Sequence, residues 1–171
     1  MREIILACAI CLGACDALVP STLQMLQEFD PLSADPADIA LRVELPDTVG
    51  ILPGSGTLNL RAQHRDGTEV GRSFAVAQVG DVLQVDPSER AELRQVQARI
   101  RTWEAADPNG THGSLGVDLE PCRTGADVPD DATFSIGIRV VADGPFLPLV
   151  QKAPLTDLLD KQTVADMRRC S

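Results

Sequence analysis

The chain reads as an α+β domain: a mainly antiparallel sheet of about five strands covered by one long helix, with a further helix at the C-terminal end. Three observations carry this reading. Several short runs alternate apolar and polar residues, the period-two pattern of strands with one buried face. Hairpin chemistry joins two of these runs at Arg65-Asp66-Gly67-Thr68, where a glycine tolerates positive φ. One stretch, Asp86 to Asp107, instead repeats its apolar residues at helical spacing. A β-sandwich with that helix inserted is the alternative arrangement of the same elements.

In chain order, Leu23 and Leu26, with Met25 and Phe29, line one face of a two-turn helix that Ser21 is placed to cap. That face is expected to pack on the domain rather than on a membrane. Pro31 and Pro36 mark a loop. Ile39, Leu41, Val43 and Leu45 alternate with Arg42 and Glu44 in a first strand, and Pro46 to Gly56 is loop-like. Thr57 to His64 is a second strand burying Leu58, Leu60 and Ala62; Glu69 to Val79 returns with Phe74 and Val76 inward. Asp86-Pro87-Ser88-Glu89 is a helix start, with Asp86 as cap, Pro87 at the first helical position and Glu89 completing a capping box. Leu93, Val96, Ile100 and Trp103 form the buried stripe, and Asp107-Pro108-Asn109-Gly110 ends the helix.

Leu115, Val117 and Leu119 give a fourth strand running to Glu120-Pro121-Cys122, and 123–131 is an acidic loop. Phe134, Ile136, Ile138 and Val140 give a fifth strand, turned by Asp143-Gly144-Pro145. Phe146 to Val150 is apolar but holds Pro148, so it is an edge strand or a buried loop. Leu155, Leu158, Leu159, Val164 and Met167 suggest a C-terminal helix, with Arg168 and Arg169 in its last turn favouring the helix dipole.

Composition narrows the function classes. The chain has 171 residues and a formal net charge of -10, so it lacks the basic footprint of a nucleic-acid binder. Tyr is absent and Trp103 is the only Trp, so the core is aliphatic and an aromatic carbohydrate platform is not expected.

The start of the chain is the most informative stretch. Ile4 to Ala14 is apolar, and as a helix it would span roughly 16 Å, about half a hydrocarbon core. That is the length of a signal-peptide core, not of a membrane span. It runs into Leu12-Gly13-Ala14-Cys15, which resembles the lipobox of bacterial lipoproteins. The resemblance implies a signal peptide over 1–14, cleavage before Cys15 and lipidation of its thiol. It further implies a short lipid-anchored tether over 15–20 and a single globular domain over 21–171. The partner of the N-terminus is then the membrane, held stably because such proteins carry more than one acyl chain. Asp16, directly after the lipidated Cys, resembles the inner-membrane retention signal of that family's sorting rule.

The resemblance also accounts for the cysteines. Of five, Cys8 and Cys11 leave with the leader and Cys15 takes the lipid. Cys122 and Cys170 remain as an even pair in an oxidising compartment, which reads as one disulfide. A metal site is the alternative, but two isolated Cys without a neighbouring His lack ligand spacing, and no cofactor is expected.

Catalytic motifs are weak. His64 ends a strand, and His112 lies in Asn109-Gly110-Thr111-His112-Gly113-Ser114, with no Gly-x-Ser-x-Gly elbow anywhere. Glu104, Asp107, Asp118 and Glu120 match neither a calcium loop nor a two-carboxylate hydrolase. The expected function is therefore a membrane-anchored periplasmic lipoprotein acting as a binding or scaffold module of the cell envelope. The alternatives are a component of an envelope biogenesis complex, which an exposed strip at Phe146 to Val150 would favour, and an anchored hydrolase. The hydrolase would need His112 beside a carboxylate in a pocket.

Overall fold

The structure is a computed structural model that describes residues 17–125 and 127–170. The expected leader over 1–14, the expected lipidation residue Cys15 and the expected sorting residue Asp16 lie outside the described residues.

The alternating runs build one antiparallel sheet of seven strands, in the order β6-β3-β4-β5-β1-β8-β9. These are β1 Ala40–Glu44, β3 Thr57–His64, β4 Glu69–Val79, β5 Val82–Val85, β6 Thr111–Asp118, β8 Thr133–Arg139 and β9 Leu147–Pro154. Two further strands, β2 Val49–Ile51 and β7 Pro121–Arg123, pair as a separate ribbon. The helices are α1 Pro20–Glu28, α2 Arg90–Ala106 and α3 Lys161–Asp166, with a 3-10 turn at Leu155–Asp157.

The mixed, mainly antiparallel architecture is the expected one, but two parts of the expectation are corrected: the main sheet has seven strands, not about five, and the one long helix covers only its β3, β4 and β6 part. The five expected strands are present as β1, β3, β4, β6 and β8. Of the two others, β5 escaped because it is four residues long, too short for a periodic signal. β9 settles the choice between edge strand and buried loop at Phe146 to Val150: it is the edge strand, where the sheet tolerates Pro148. β4 is long enough to pair β3 with its first half and β5 with its second, so the seven strands form one continuous curled sheet.

The hairpin forms as its chemistry dictates. Gly67 has φ 85°, and Asp66 Oδ1 accepts the Thr68 N–H at 2.8 Å. Register then sets the core. Leu58, Leu60 and Ala62 stand opposite Phe74, Arg72 and Val70 on β4, and opposite Val117, Leu115 and Gly113 on β6. Leu93 and Ile100 of α2 close a first core with Leu60, Ala62, Phe74 and Val85. The opposite face of these strands is polar: Ser73 donates to Asn59 Oδ1, and Asn59 Nδ2 donates to Asp118 Oδ2 at 2.6 Å.

α2 starts three residues later than expected, at Arg90 instead of Pro87. The Asp86 N–H donates to the Ala75 carbonyl at 2.9 Å, which holds Asp86 to β4. Its carboxylate serves Ser88, through the backbone N–H at 2.9 Å and the hydroxyl at 2.6 Å. The capping residues thus make a turn, and Glu89 precedes the helix without a side-chain cap. Ser21 does not cap α1 either; Val19 holds that position, Pro20 is the first helical residue, and the buried side chain is Thr22.

A second core gathers at the other end of the sheet, from Val49, Ala132, Phe134, Ala153, Leu155 and Met167. The expected terminal helix is shorter here and ends at Asp166. Arg168 and Arg169 lie beyond it because the last residues run beside β7. The Arg123 N–H donates to the Arg168 carbonyl at 2.7 Å, and the Cys170 N–H to the Arg123 carbonyl at 2.9 Å. The dipole role drawn for these arginines is therefore not theirs.

The N-terminal end is also docked. Leu18 bridges Val150, the Gln151 N–H donates to the Ala17 carbonyl at 2.9 Å, and the Val19 N–H donates to the Leu149 carbonyl at 3.1 Å. From Ala17 onward the stretch expected to be a tether is part of the domain.

Candidate functional site

Cys122 and Cys170 form the expected disulfide, with sulfurs 2.09 Å apart and Cα atoms 5.0 Å apart. Cys122 is fully buried on β7. β2 passes so close that a Cβ on Gly50 would stand 3.0 Å from Cys170 Sγ, which explains a glycine there.

Beside this bond lies an open cleft of about 380 Å³, within the size range of ligand sites. Glu120 and Pro121 form one wall; Asp160, Thr163, Asp166 and Arg168 form the other. Buried Met167 also lines it, and an Arg168–Glu120 ion pair crosses it. The disulfide joins the two walls, since Cys122 follows Pro121 and Cys170 lies two residues after Arg168. Asp160 caps α3 by accepting the Thr163 N–H at 2.7 Å. That backbone bond, followed by the Thr163 hydroxyl, holds its carboxyl below the usual aspartate range. Gln162 Nε2 donates to Asp166 Oδ2 at 2.6 Å. The cleft offers charge and hydrogen bonds on a fixed frame.

A second cavity, about 40 Å³, lies between α2 and the sheet, lined by aliphatic side chains such as Leu58, Leu83, Leu93 and Val117. An apolar cavity needs roughly 150 Å³ to hold benzene, so this one is a packing gap rather than a ligand site.

The candidate catalytic residues do not converge. His64 faces Asp66 through Nδ1 at 3.3 Å and Asp107 through Nε2 at 3.5 Å, edge-on to Trp103 with ring centroids 6.0 Å apart. Arg65 pairs with the same Asp107. This cluster ties the β3–β4 hairpin to the end of α2. The Thr68 N–H, then the Thr68 hydroxyl and then His64, hold the Asp66 carboxyl below its usual range. His112 is exposed on β6, opposite Gln63. Among the four candidate carboxylates, Asp107 serves His64 and Arg65, Asp118 accepts from Asn59, Glu120 pairs with Arg168, and Glu104 is half-buried on α2. Asp127, Asp130 and Asp131 are exposed in the acidic loop.

Sequence reasoning missed two arrangements. One is the cleft; the spacing of Asp160 and Thr163, a cap and its third helical residue, was the available signal. The other is Phe146, which lies under two guanidiniums, with Arg42 at 4.1 Å and Arg139 at 5.3 Å from the ring centre. Pairing of Ala40 with Arg139 and of Arg42 with Gly137 puts both arginines on one face. Arg42 Nε also lies 3.1 Å from Asp81, without hydrogen-bond alignment.

Among the described residues, no helix is long and apolar enough to cross a membrane, and no cluster of His, Cys, Asp and Glu has the form of a metal site. Comparison with protein families, curated proteins and solved structures finds no match in any of the three.

Proposed function

We propose that this chain is a membrane-anchored lipoprotein of the periplasmic face, the inner membrane favoured over the outer. Its domain serves as a binding or scaffold module of the cell envelope. The single observation that carries the reading is Leu12-Gly13-Ala14-Cys15 at the end of an apolar run, two residues ahead of a docked Ala17. The disulfide-framed cleft supports the binding part, because it offers polar contacts on two walls that cannot drift apart. The strip from Phe146 to Val150, whose exposure would favour a biogenesis assembly, is engaged: Phe146 by Arg42 and Arg139, Leu149 and Val150 by residues 17–19.

Three measurements test the reading. Cys15→Ser should move the protein from the membrane pellet to the soluble periplasmic fraction and abolish labelling by an alkyne fatty acid; pelleting like the wild type would refute anchoring at Cys15. Density-gradient separation of the membranes tests Asp16; wild-type recovery in the outer membrane would remove the inner-membrane assignment. A photo-crosslinker at Gln162, beside the cleft, should capture an envelope protein that the same probe at Gln63 on the β3 face does not.

A further inference from the structure

The geometry points to a fixed seating of the domain on the bilayer: the β9 edge of the sheet, with α1 beside it, lies against the phospholipid headgroups, and the β6 edge stands away from them. This rests on lipid attachment at Cys15 and goes beyond it to the surface that meets the membrane. Ala17 is held to β9 through the Gln151 N–H at 2.9 Å and packs into the second core. Ala17 is two positions after Cys15, and an extended chain covers at most ~3.6 Å per residue, so the two Cα atoms lie within about 7 Å. The headgroup layer is itself only roughly 5–8 Å deep on each side of the hydrocarbon, so the lipid cannot enter the bilayer without bringing the β9 edge to its surface.

The charge distribution agrees. The chain carries 25 acidic residues. Between Ala17 and Glu28 and along Leu147–Pro154, however, the only carboxylate is Glu28, at the far end of α1, and Lys152 is exposed on β9. Apart from Asp16 beside the anchor, these two segments add no other acidic side chain to repel an anionic surface. At the other end of the sheet, β6 lies six strand intervals from β9. At ~4.8 Å per interval that is up to about 29 Å along the sheet. Seated this way, the module works only on partners that come to the membrane.

The experiment uses the full lipidated protein reconstituted in vesicles of phosphatidylethanolamine and phosphatidylglycerol. Gln151→Cys and Ser114→Cys are exposed positions on the two edge strands, and the oxidised Cys122–Cys170 pair leaves the new thiol as the one to label with an environment-sensitive dye. Nitroxide-headgroup lipids should quench the dye at position 151 several-fold more than at position 114. Equal quenching in floated protein, or stronger quenching at 114, overturns the seating while leaving the anchor intact. Protein that fails to float with the vesicles overturns the anchor and the seating together.

Discussion

Over β3, β4 and β6 the sheet is closed by α2, a helix of 17 residues that lays Leu93 and Ile100 onto Leu60, Ala62 and Phe74. Over β8 and β9 it is closed by short pieces: the ribbon strand β2, a 3-10 turn and the six-residue α3. The first cover satisfies its own backbone and buries a continuous stripe. The second cannot, since a helix well under ~12 residues is marginal by itself. Tertiary ties make up the difference: the Arg123–Arg168 and Cys170–Arg123 backbone bonds, the Arg168–Glu120 ion pair and the Cys122–Cys170 bond. A long amphipathic helix and a crosslinked irregular segment thus do the same work of closing a sheet face, but only the second depends on redox state.

Substitutions should separate the two regions. Phe74→Ala, at 0% exposure in the helix-closed core, should cost about 3–5 kcal/mol, a large share of a total of roughly 5–15 kcal/mol, read by denaturant unfolding. Replacing both Cys122 and Cys170 by Ala opens a loop of 48 residues, for which chain entropy gives about 4 kcal/mol as an upper expectation. Reductant should lower the melting temperature of the wild type and leave that double variant unmoved; two titratable thiols in protein purified without reductant would contradict the bond.

Gln97→Ala should cost about 1–3 kcal/mol, because its carboxamide serves the Pro31 and Ala34 carbonyls at 2.7 and 3.1 Å and is 4% exposed. Its readout is loss of amide protection around 31–38 ahead of the rest of the first core. A variant as stable as wild type would show that the loop needs no such tie.

Acid should produce the smallest effect and touch both regions. Asp35 is held below its usual pKa chiefly by the Arg94 guanidinium at 2.7 Å, and Asp160 chiefly by the Thr163 N–H. A carboxylate whose folded pKa is depressed stabilises above its unfolded value near ~3.9, and the stabilisation is lost as pH falls through the folded value. The melting temperature should therefore decline only in the acid range below about pH 4, with no step near neutrality from these groups. Asp35→Asn and Asp160→Asn should each flatten that decline slightly.

How far the sequence discloses this molecule depends on how local each determinant is. β3, β4 and their hairpin are legible to the residue, because alternation and the Gly67 turn are written within a few positions. The α2 stripe is legible, but its start is not: Asp86-Pro87-Ser88-Glu89 has capping chemistry that a turn satisfies equally well, and the choice is made by the distant Ala75 carbonyl. Gln97 sits one turn after Leu93 with a polar side chain, and its burial makes sense only once the loop carbonyls arrive from 63 and 66 residues away. The disulfide is reached by counting cysteines rather than by geometry. Of the cleft only the Asp160–Thr163 cap spacing on one wall is legible, since the two walls meet only when Cys122 and Cys170 do.

The most direct test of the two-region account is amide hydrogen exchange on the oxidised and the reduced protein under native conditions. The account predicts that reduction strips protection from β7, α3 and the β9 side of the second core, while β3, β4 and α2 stay protected. Equal loss in both regions, or no loss in either, would contradict it.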